Sequence, residues 1–342
     1  MRAVFFEKHG GPEVLKYGNF RDPSLDFNDV LVGIKACSLN HLDIWVRQGL
    51  PGVSIPTPHI PGSDVSGVIL ETGKAVKRFK KGERVVVSPG QLPHNTAEAL
   101  EARDSFSPDF RILGLQSQGG YAEKVAVHED FVIPVSDGLS FEEWASIPLA
   151  SLTAYHMLVG RVNLRPGETV LIQAAGSGVS SSAIQIAKFL GATVFTTVGD
   201  TKKVARAKKL GADEVILYKT KDFAEETKKL TAGRGVDVIF DHIGPDTWHK
   251  NLSSLARGGR LVTCGATSGP KAEIDIRYLY SKQISIFGSY MGSFAELLKV
   301  LELVEKGVLK PTLDQVFPLK EASEAHRRME SRHNFGKIVL KV

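Results

Sequence analysis

Only two cysteines, Cys37 and Cys264, occur in the chain, and no run of about eighteen apolar residues does. The first scarcity excludes a disulfide scaffold and any zinc site of four thiolates, and it fits a reducing compartment. The second excludes a transmembrane helix, so no membrane partner is expected. The opening Met1-Arg2-Ala3-Val4-Phe5-Phe6-Glu7-Lys8 is too short an apolar run for a signal peptide, and no small-residue cleavage pattern follows. A cytoplasmic location is the expectation. A concentration of one charge is also missing: 43 Lys and Arg against 38 Asp and Glu leave a net +5, spread along the whole length. Nucleic-acid binding needs a gathered basic patch, so the lysines read as a solvated surface.

What is present is ordinary globular material. The 342 residues are 42% hydrophobic and 24% charged, enough to bury real cores, and the length points to about two domains. Up to about Ala150, short β-branched runs such as Val30 to Ala36, Gly67 to Thr72 and Glu83 to Val87 are broken by Gly and Pro, which reads as a mostly-β domain. Near Pro148 the texture changes to alternation. Strands at Thr169 to Gln173, Thr193 to Thr197, Glu214 to Leu217, Val236 to Phe240 and Arg260 to Cys264 are separated by helical stretches. The helices are expected at Ser181 to Leu190, Thr201 to Leu210, Lys221 to Leu230 and Trp248 to Ala256. After Met291 a helix, Phe294 to Lys306, leads back to β-rich sequence. The predicted fold class is α/β: a doubly wound parallel Rossmann sheet (152–291) inserted into a mostly-β domain formed by 1–151 and 292–342.

Within this frame, Val170 to Lys188 carries the chemistry. A buried strand runs into the small-residue loop Ala174-Ala175-Gly176-Ser177-Gly178-Val179, and a helix starts at once. Small residues let a backbone approach a pyrophosphate, and a helix N-terminus supplies N–H groups and a dipole. The glycine pattern alone is degenerate and is also compatible with a plain βα turn of a flavodoxin-like domain; the flanking strand and helix favour a dinucleotide. Gly244 and Gly265 end strands at the sheet's carboxyl edge, where ligands of such folds bind, although turn geometry would also demand glycine there. The second strand ends Thr196-Thr197-Val198-Gly199 without an acid at its tip, and Lys202 and Lys203 follow. A cation there suits a 2′-phosphate, so NADPH is expected over NADH; Asp200 keeps NADH open.

The phrases HGGPEVL (His9 to Leu15), SLNHLDIWVRQG (Ser38 to Gly49), PGSDVSGVI (Pro61 to Ile69), GGYAEKVAV (Gly119 to Val127) and PLASLTAYHML (Pro148 to Leu158) occur in order. FDHIG (Phe240 to Gly244), GGRLVTCGATSG (Gly258 to Gly269) and FGKIVLKV (Phe335 to Val342) follow. Together they resemble the medium-chain dehydrogenase/reductase superfamily over essentially the whole chain, nearest its zinc-free quinone oxidoreductases and enone reductases. The resemblance implies a GroES-like catalytic domain around the Rossmann domain, with the active site in the cleft between them. It also implies that Lys203 and Tyr218 flank an adenosine 2′-phosphate above a floor of Thr197 and Gly199. Tyr218 is equally readable as a strand-end aromatic without a ligand.

Zinc-dependent members hold their catalytic metal with Cys, His-Glu and a further Cys or Asp. Aligned by phrase, those positions are Asn40, Ser63 and Asp64, and about Leu149, which do not supply thiolate and imidazole. The segment corresponding to the structural-zinc lobe, Pro89 to Gln118, has no cysteine. No zinc and no other metal is therefore expected; His41, Asp43, His59 and Asp64 match no ligand spacing. Without a Lewis acid, alcohol oxidation loses its means of stabilising an alkoxide. Hydride transfer to a quinone or an activated alkene asks for less, chiefly hydrogen-bond donors at the carbonyl oxygen. The candidate catalytic residues are Asn40, as a donor to a substrate carbonyl or ribose or else as a loop tie, with Asp43, Asp64 and Thr153. Asp64 is read as orienting Arg47 or His41, and Thr153 and Tyr155 as lining the nicotinamide side. Cys37 and Cys264 read as packing residues. The expected activity is NADPH-dependent reduction of a quinone or enone, with an alcohol dehydrogenase or aldehyde reductase and a non-catalytic NADPH-binding protein as alternatives. The apolar run Gln283 to Ser289 reads as an edge strand that would pair with its symmetry mate, giving a homodimer or a dimer-based tetramer.

Overall fold

Val170, Leu171 and Ile172 are all fully buried, the apolar run without a wet face that a central parallel strand requires. In the computed structural model, which describes residues 1–342, their strand, Thr169–Ile172, lies in the middle of a six-stranded sheet. Thr193–Val198 and then Glu214–Leu217 flank it on one side; Val236–Asp241, Leu255–Thr263 and Ser285–Gly288 follow on the other, and all neighbours are parallel. Numbered along the chain the order is 3-2-1-4-5-6, the doubly wound arrangement whose switch point lies beside the first strand. Leu171, Phe195, Ile239, Leu252 and Leu261 belong to its core.

Helix boundaries differ from expectation for local reasons. The first helix runs Gly178–Phe189, starting three residues before Ser181 because Ser177 caps it. The fourth runs Pro245–Ser254 rather than Trp248 to Ala256. Proline at its first position has the φ a helix start needs, and Leu255 leaves in extended conformation because it already pairs with Val236. Where one helix was expected from Thr201, a 3-10 turn, Thr201–Lys203, precedes the helix Val204–Lys209.

The chain divides into two compact units: Met1–Ala150 with Ser293–Lys306 and Pro311–Val342, and Ser151–Gly292 with Gly307–Lys310. The first is built on a seven-stranded sheet. Along it run Leu313–Pro318, Lys337–Lys341, Asp29–Ser38, Asp64–Thr72, Arg84–Val87 and Val132–Pro134, with Lys124–His128 also paired to Asp29–Ser38. Lys337–Lys341 is thus hydrogen-bonded to a strand from the start of the chain, antiparallel, with Val339 opposite Ser38. Val32, Ile34, Val65, Val85, Ile338 and Leu340 fill the core. No helix is long and apolar enough to cross a membrane.

Candidate active site

In the Rossmann unit, the loop after Thr169–Ile172 turns at Ala174, a non-glycine residue at φ 52°. Ser177 then caps the helix Gly178–Phe189, its Oγ accepting from Ser180 N at 3.0 Å. Below the loop runs a ladder of buried polar groups. Ala174 N donates to Thr197 Oγ1 (2.9 Å), Thr197 Oγ1 to Gln173 Oε1 (2.8 Å), and Gln173 Nε2 to Asn251 Oδ1 (2.7 Å). Asn251 Nδ2 donates in turn to Asp241 Oδ1 at 3.0 Å, and the other Asp241 oxygen accepts from Ile243 N and Gly244 N. The tips of three adjacent strands are thereby tied to the loop, so Gly176, Ser177, Gly178 and Val179 sit on a braced backbone. The Thr197 side chain is spent on this ladder rather than offered as a floor for a ligand.

His242, which sequence reasoning passed over, places Nε2 3.0 Å from Ser177 Oγ and 3.2 Å from Ser180 Oγ, and burial pushes its pKa down. Gly244 has φ 90° and starts the turn into Pro245–Ser254. A Cβ on Gly265 would stand 3.1 Å from His242 O. At the tip of the second strand a Cβ on Gly199 would fall 2.6 Å from Tyr218 Oη, so Tyr218 lies across a position that only glycine leaves clear. Lys203 ends the 3-10 turn that Asp200 caps by accepting from Lys202 N at 2.8 Å. A braced small-residue loop at a helix N-terminus, at the switch point of a parallel sheet, fits a dinucleotide pyrophosphate.

In the other unit three of the four expected catalytic residues come together. Asn40 caps the helix His41–Gln48 in a capping box with Asp43, whose Oδ2 accepts from Asn40 N at 2.7 Å. The Asn40 amide also donates to Asp64 Oδ2 at 2.8 Å. Asp64 is fully buried, and it takes Ser38 Oγ and Lys337 Nζ on the same oxygen (both 3.0 Å) and Leu149 N on the other (2.7 Å). Lys337 Nζ donates as well to Asn40 Oδ1 at 2.5 Å. Asp64 therefore orients Asn40 and Lys337, not Arg47 or His41; His41 instead meets the Trp45 ring edge-on at 4.9 Å. His59 is buried and bonds Gly114 O at 2.9 Å. Thr153 belongs to the Rossmann unit, on the helix Pro148–Tyr155.

The donor set here does not suit zinc. Leu149 has no donor side chain, the Asn40 oxygen is engaged, and an ammonium stands between Asn40 and Asp64, where a dication would be repelled. No group of three or more His, Cys, Asp or Glu side chains is arranged to hold a metal. Ser63 Oγ, at the position of the histidine ligand, is buried without a partner in the protein.

Behind Asn40 a second chain of hydrogen bonds has a fixed direction. Arg47 can only donate, so His326 Nδ1, 3.1 Å from Arg47 Nη1, is the acceptor and Nε2 carries the proton. Nε2–H then donates to Tyr121 Oη (3.2 Å), and the Tyr121 hydroxyl donates to Asp43 Oδ2 (3.2 Å). Arg47 also pairs with Glu330. Burial pushes Asp43 up to about 6, and burial with the nearby Arg47 charge pushes His326 down to about 3. Asp43 is sealed beneath Asn40, Tyr121 and Gly62 N, so it acts on the site through Asn40. Burial raises both thiols, Cys264 to about 12, as expected of packing cysteines rather than activated thiolates.

Residues 26–137 match the alcohol dehydrogenase GroES-like domain family and residues 178–306 the zinc-binding dehydrogenase family. Quinone oxidoreductase 1 of Escherichia coli (strain K12) is 33% identical, with 98% of each chain covered. The crystal structure of an NAD-dependent alcohol dehydrogenase superposes with a TM-score of 0.96 at 44% identity over 100% of both chains. A cobalt- and zinc-bound thermostable alcohol dehydrogenase from Pyrobaculum aerophilum superposes at 0.91 with 32% identity, covering 100% of this chain and 99% of that one. The chain belongs to the medium-chain dehydrogenase/reductase superfamily, with a GroES-like domain and a Rossmann-type parallel sheet, and is an oxidoreductase.

Proposed function

We propose that this oxidoreductase uses NADPH to reduce a quinone or an activated alkene such as an enone, and that it works without zinc. The observation that carries this reading is the donor set at Asn40, Ser63, Asp64 and Leu149, where an ammonium is bonded between the first and third of these residues. When bound, the reduced nicotinamide supplies a hydride. Gly176, Ser177, Gly178 and Val179 hold its pyrophosphate chiefly through backbone groups, with Gly244 and Gly265 allowing close approach. Tyr218 across Gly199, with Lys203 nearby in sequence, receives the 2′-phosphate. The substrate is a small electrophile met by the Asn40 cluster, and Thr153 lines the nicotinamide side. Quinones and enones are already electrophilic, so donors at the carbonyl oxygen suffice. We place the protein in the cytoplasm, as a homodimer or a dimer-based tetramer.

Two observations favour a second reading, an NAD-dependent alcohol dehydrogenase or aldehyde reductase. One is the name of the 44% identical structural neighbour; the other is Asp200, an acid one residue beyond Gly199 whose pKa is lowered by its bond from Lys202 N. The deciding assay is NADPH and NADH oxidation by metal-stripped enzyme with an ortho-quinone, 2-cyclohexenone and a simple aldehyde. Turnover of the conjugated substrates with NADPH and no metal is expected. Activity confined to the aldehyde, and only after zinc is restored, would establish the alcohol dehydrogenase instead.

A further inference from the structure

Lys337 is 5% exposed, yet its ammonium meets only two acceptors, Asn40 Oδ1 and Asp64 Oδ2. A lysine has three N–H donors, and the third has no acceptor within the protein. The Asp64 charge is shared among four donors, Ser38 Oγ, Asn40 Nδ2, Lys337 Nζ and Leu149 N, so it does not answer the lysine alone. Ser63, next to Asp64, keeps a fully buried hydroxyl without a partner. A cation with an unused donor is therefore bonded to two of the positions aligned with the zinc ligands, Asn40 and Asp64, and Ser63 at a third keeps an unused hydroxyl.

We propose that Lys337 is a catalytic residue that replaces the metal: its free N–H binds the substrate's carbonyl oxygen and stabilises the negative charge that hydride addition places there. The inference rests on the reductase reading above. A bound reduced nicotinamide would supply a hydride, with its electron pair, to form a C–H bond at the electrophilic carbon of the enone. The π pair of the carbon–carbon double bond moves through the conjugated system to oxygen, giving an enolate, and the nicotinamide is oxidised. Water then delivers the proton that completes the saturated ketone. The step takes no proton from Lys337, so no second group has to reset it. Asp64 and Asn40 hold the ammonium in place before charge develops, which is what makes such a donor effective. Asn40 is thus the positioning residue for Lys337 as well as a candidate donor in its own right.

Removing Lys337 alone strands the Asp64 carboxylate, so the test uses the charge-neutral double variant Lys337→Met/Asp64→Asn beside Lys337→Ala. Thermal melting reports folding, nicotinamide fluorescence reports NADPH affinity, and 2-cyclohexenone reduction gives kcat. The double variant is expected to melt cooperatively and to bind NADPH within about twofold of wild type, with kcat lowered about 10²- to 10³-fold, the usual loss for one oxyanion donor. Methylammonium should restore part of kcat to Lys337→Ala, and tetramethylammonium, which has no N–H, should not. A kcat within about threefold of wild type overturns the proposal, as does a loss accounted for wholly by weaker NADPH binding. If the double variant does not fold, the absence of methylammonium rescue in Lys337→Ala overturns it equally. Wild-type enzyme inert toward both quinone and enone would overturn the reductase reading itself, and this inference with it.

Discussion

Asp43 and His326 exchange the usual order in which a carboxylate and an imidazole take up protons. The carboxyl is pushed up to about 6 and the imidazole down to about 3, so on acidification the proton goes to Asp43 first. A folded-state pKa raised from 3.8 to about 6 means that the protonated form favours the fold. That contribution is fully present below about 3.8 and is lost as the pH rises through about 6. The difference corresponds to about 3 kcal/mol. Relative to Asp43→Asn, which cannot titrate, wild type is expected to lose about that much unfolding free energy between pH 4 and pH 7; urea melts at both values measure it. A gap between the two proteins that does not change with pH would refute the assignment. Asn40, Asp43 and Asp64 were legible in the sequence because two short phrases carry them. Lys337 was not: it lies 273 residues from Asp64, and Lys-Ile-Val-Leu-Lys reads as any amphipathic strand. Tyr121 and His326 stayed hidden for the same reason: Tyr121 lies in a loop and His326 on the helix Ala322–Glu330, and only the tertiary fold brings them to Asp43.

Elements were easier to find than their ends. The six Rossmann strands follow from β-branched apolar runs that tertiary contacts reinforce rather than contradict. The helix starts depended on caps, and the fourth helix was misplaced because the turn at Gly244-Pro245 was not recognised as its beginning. The polar ladder under the dinucleotide loop was invisible in the sequence, because Gln173, Thr197, Asn251 and Asp241 sit on four different elements. Its effect is testable at Asn251. Replacing it by leucine leaves Gln173 Nε2 buried without an acceptor and removes one donor to Asp241, which also bonds Thr247. A loss of about 1–3 kcal/mol is expected from the orphaned group, with weaker NADPH binding as the strand tips loosen. Fluorescence titration showing unchanged affinity in the destabilised variant would separate the ladder from cofactor binding.

At the scale of the whole molecule, the alternation of strand and helix announced the inserted Rossmann domain, and the return to β texture after Met291 announced that the first domain is resumed. The strand Ser285–Gly288 ends the parallel sheet with one side unpaired, and Ile286 and Phe287 are only partly buried. An open edge of this kind is a template for another chain. Light scattering of the 37.2 kDa chain is expected to give at least twice that mass. Ile286→Lys with Phe287→Lys should return it to a monomer without abolishing the Rossmann fold. A monomeric wild type would remove the edge-pairing proposal.

The strand Lys337–Lys341 is seated between Leu313–Pro318 and Asp29–Ser38, and that placement has a consequence in time. During synthesis the Rossmann unit, nearly continuous in sequence, can close while the strand that completes its companion has still to leave the ribosome. Until then Asp29–Ser38 lacks one of its neighbours, and Asp64 has no ammonium beside it. Lys337 reaches Asn40 and Asp64 only after the intervening Rossmann unit has been made, so a chain stalled before Lys337 carries that unit without the ammonium of this cluster.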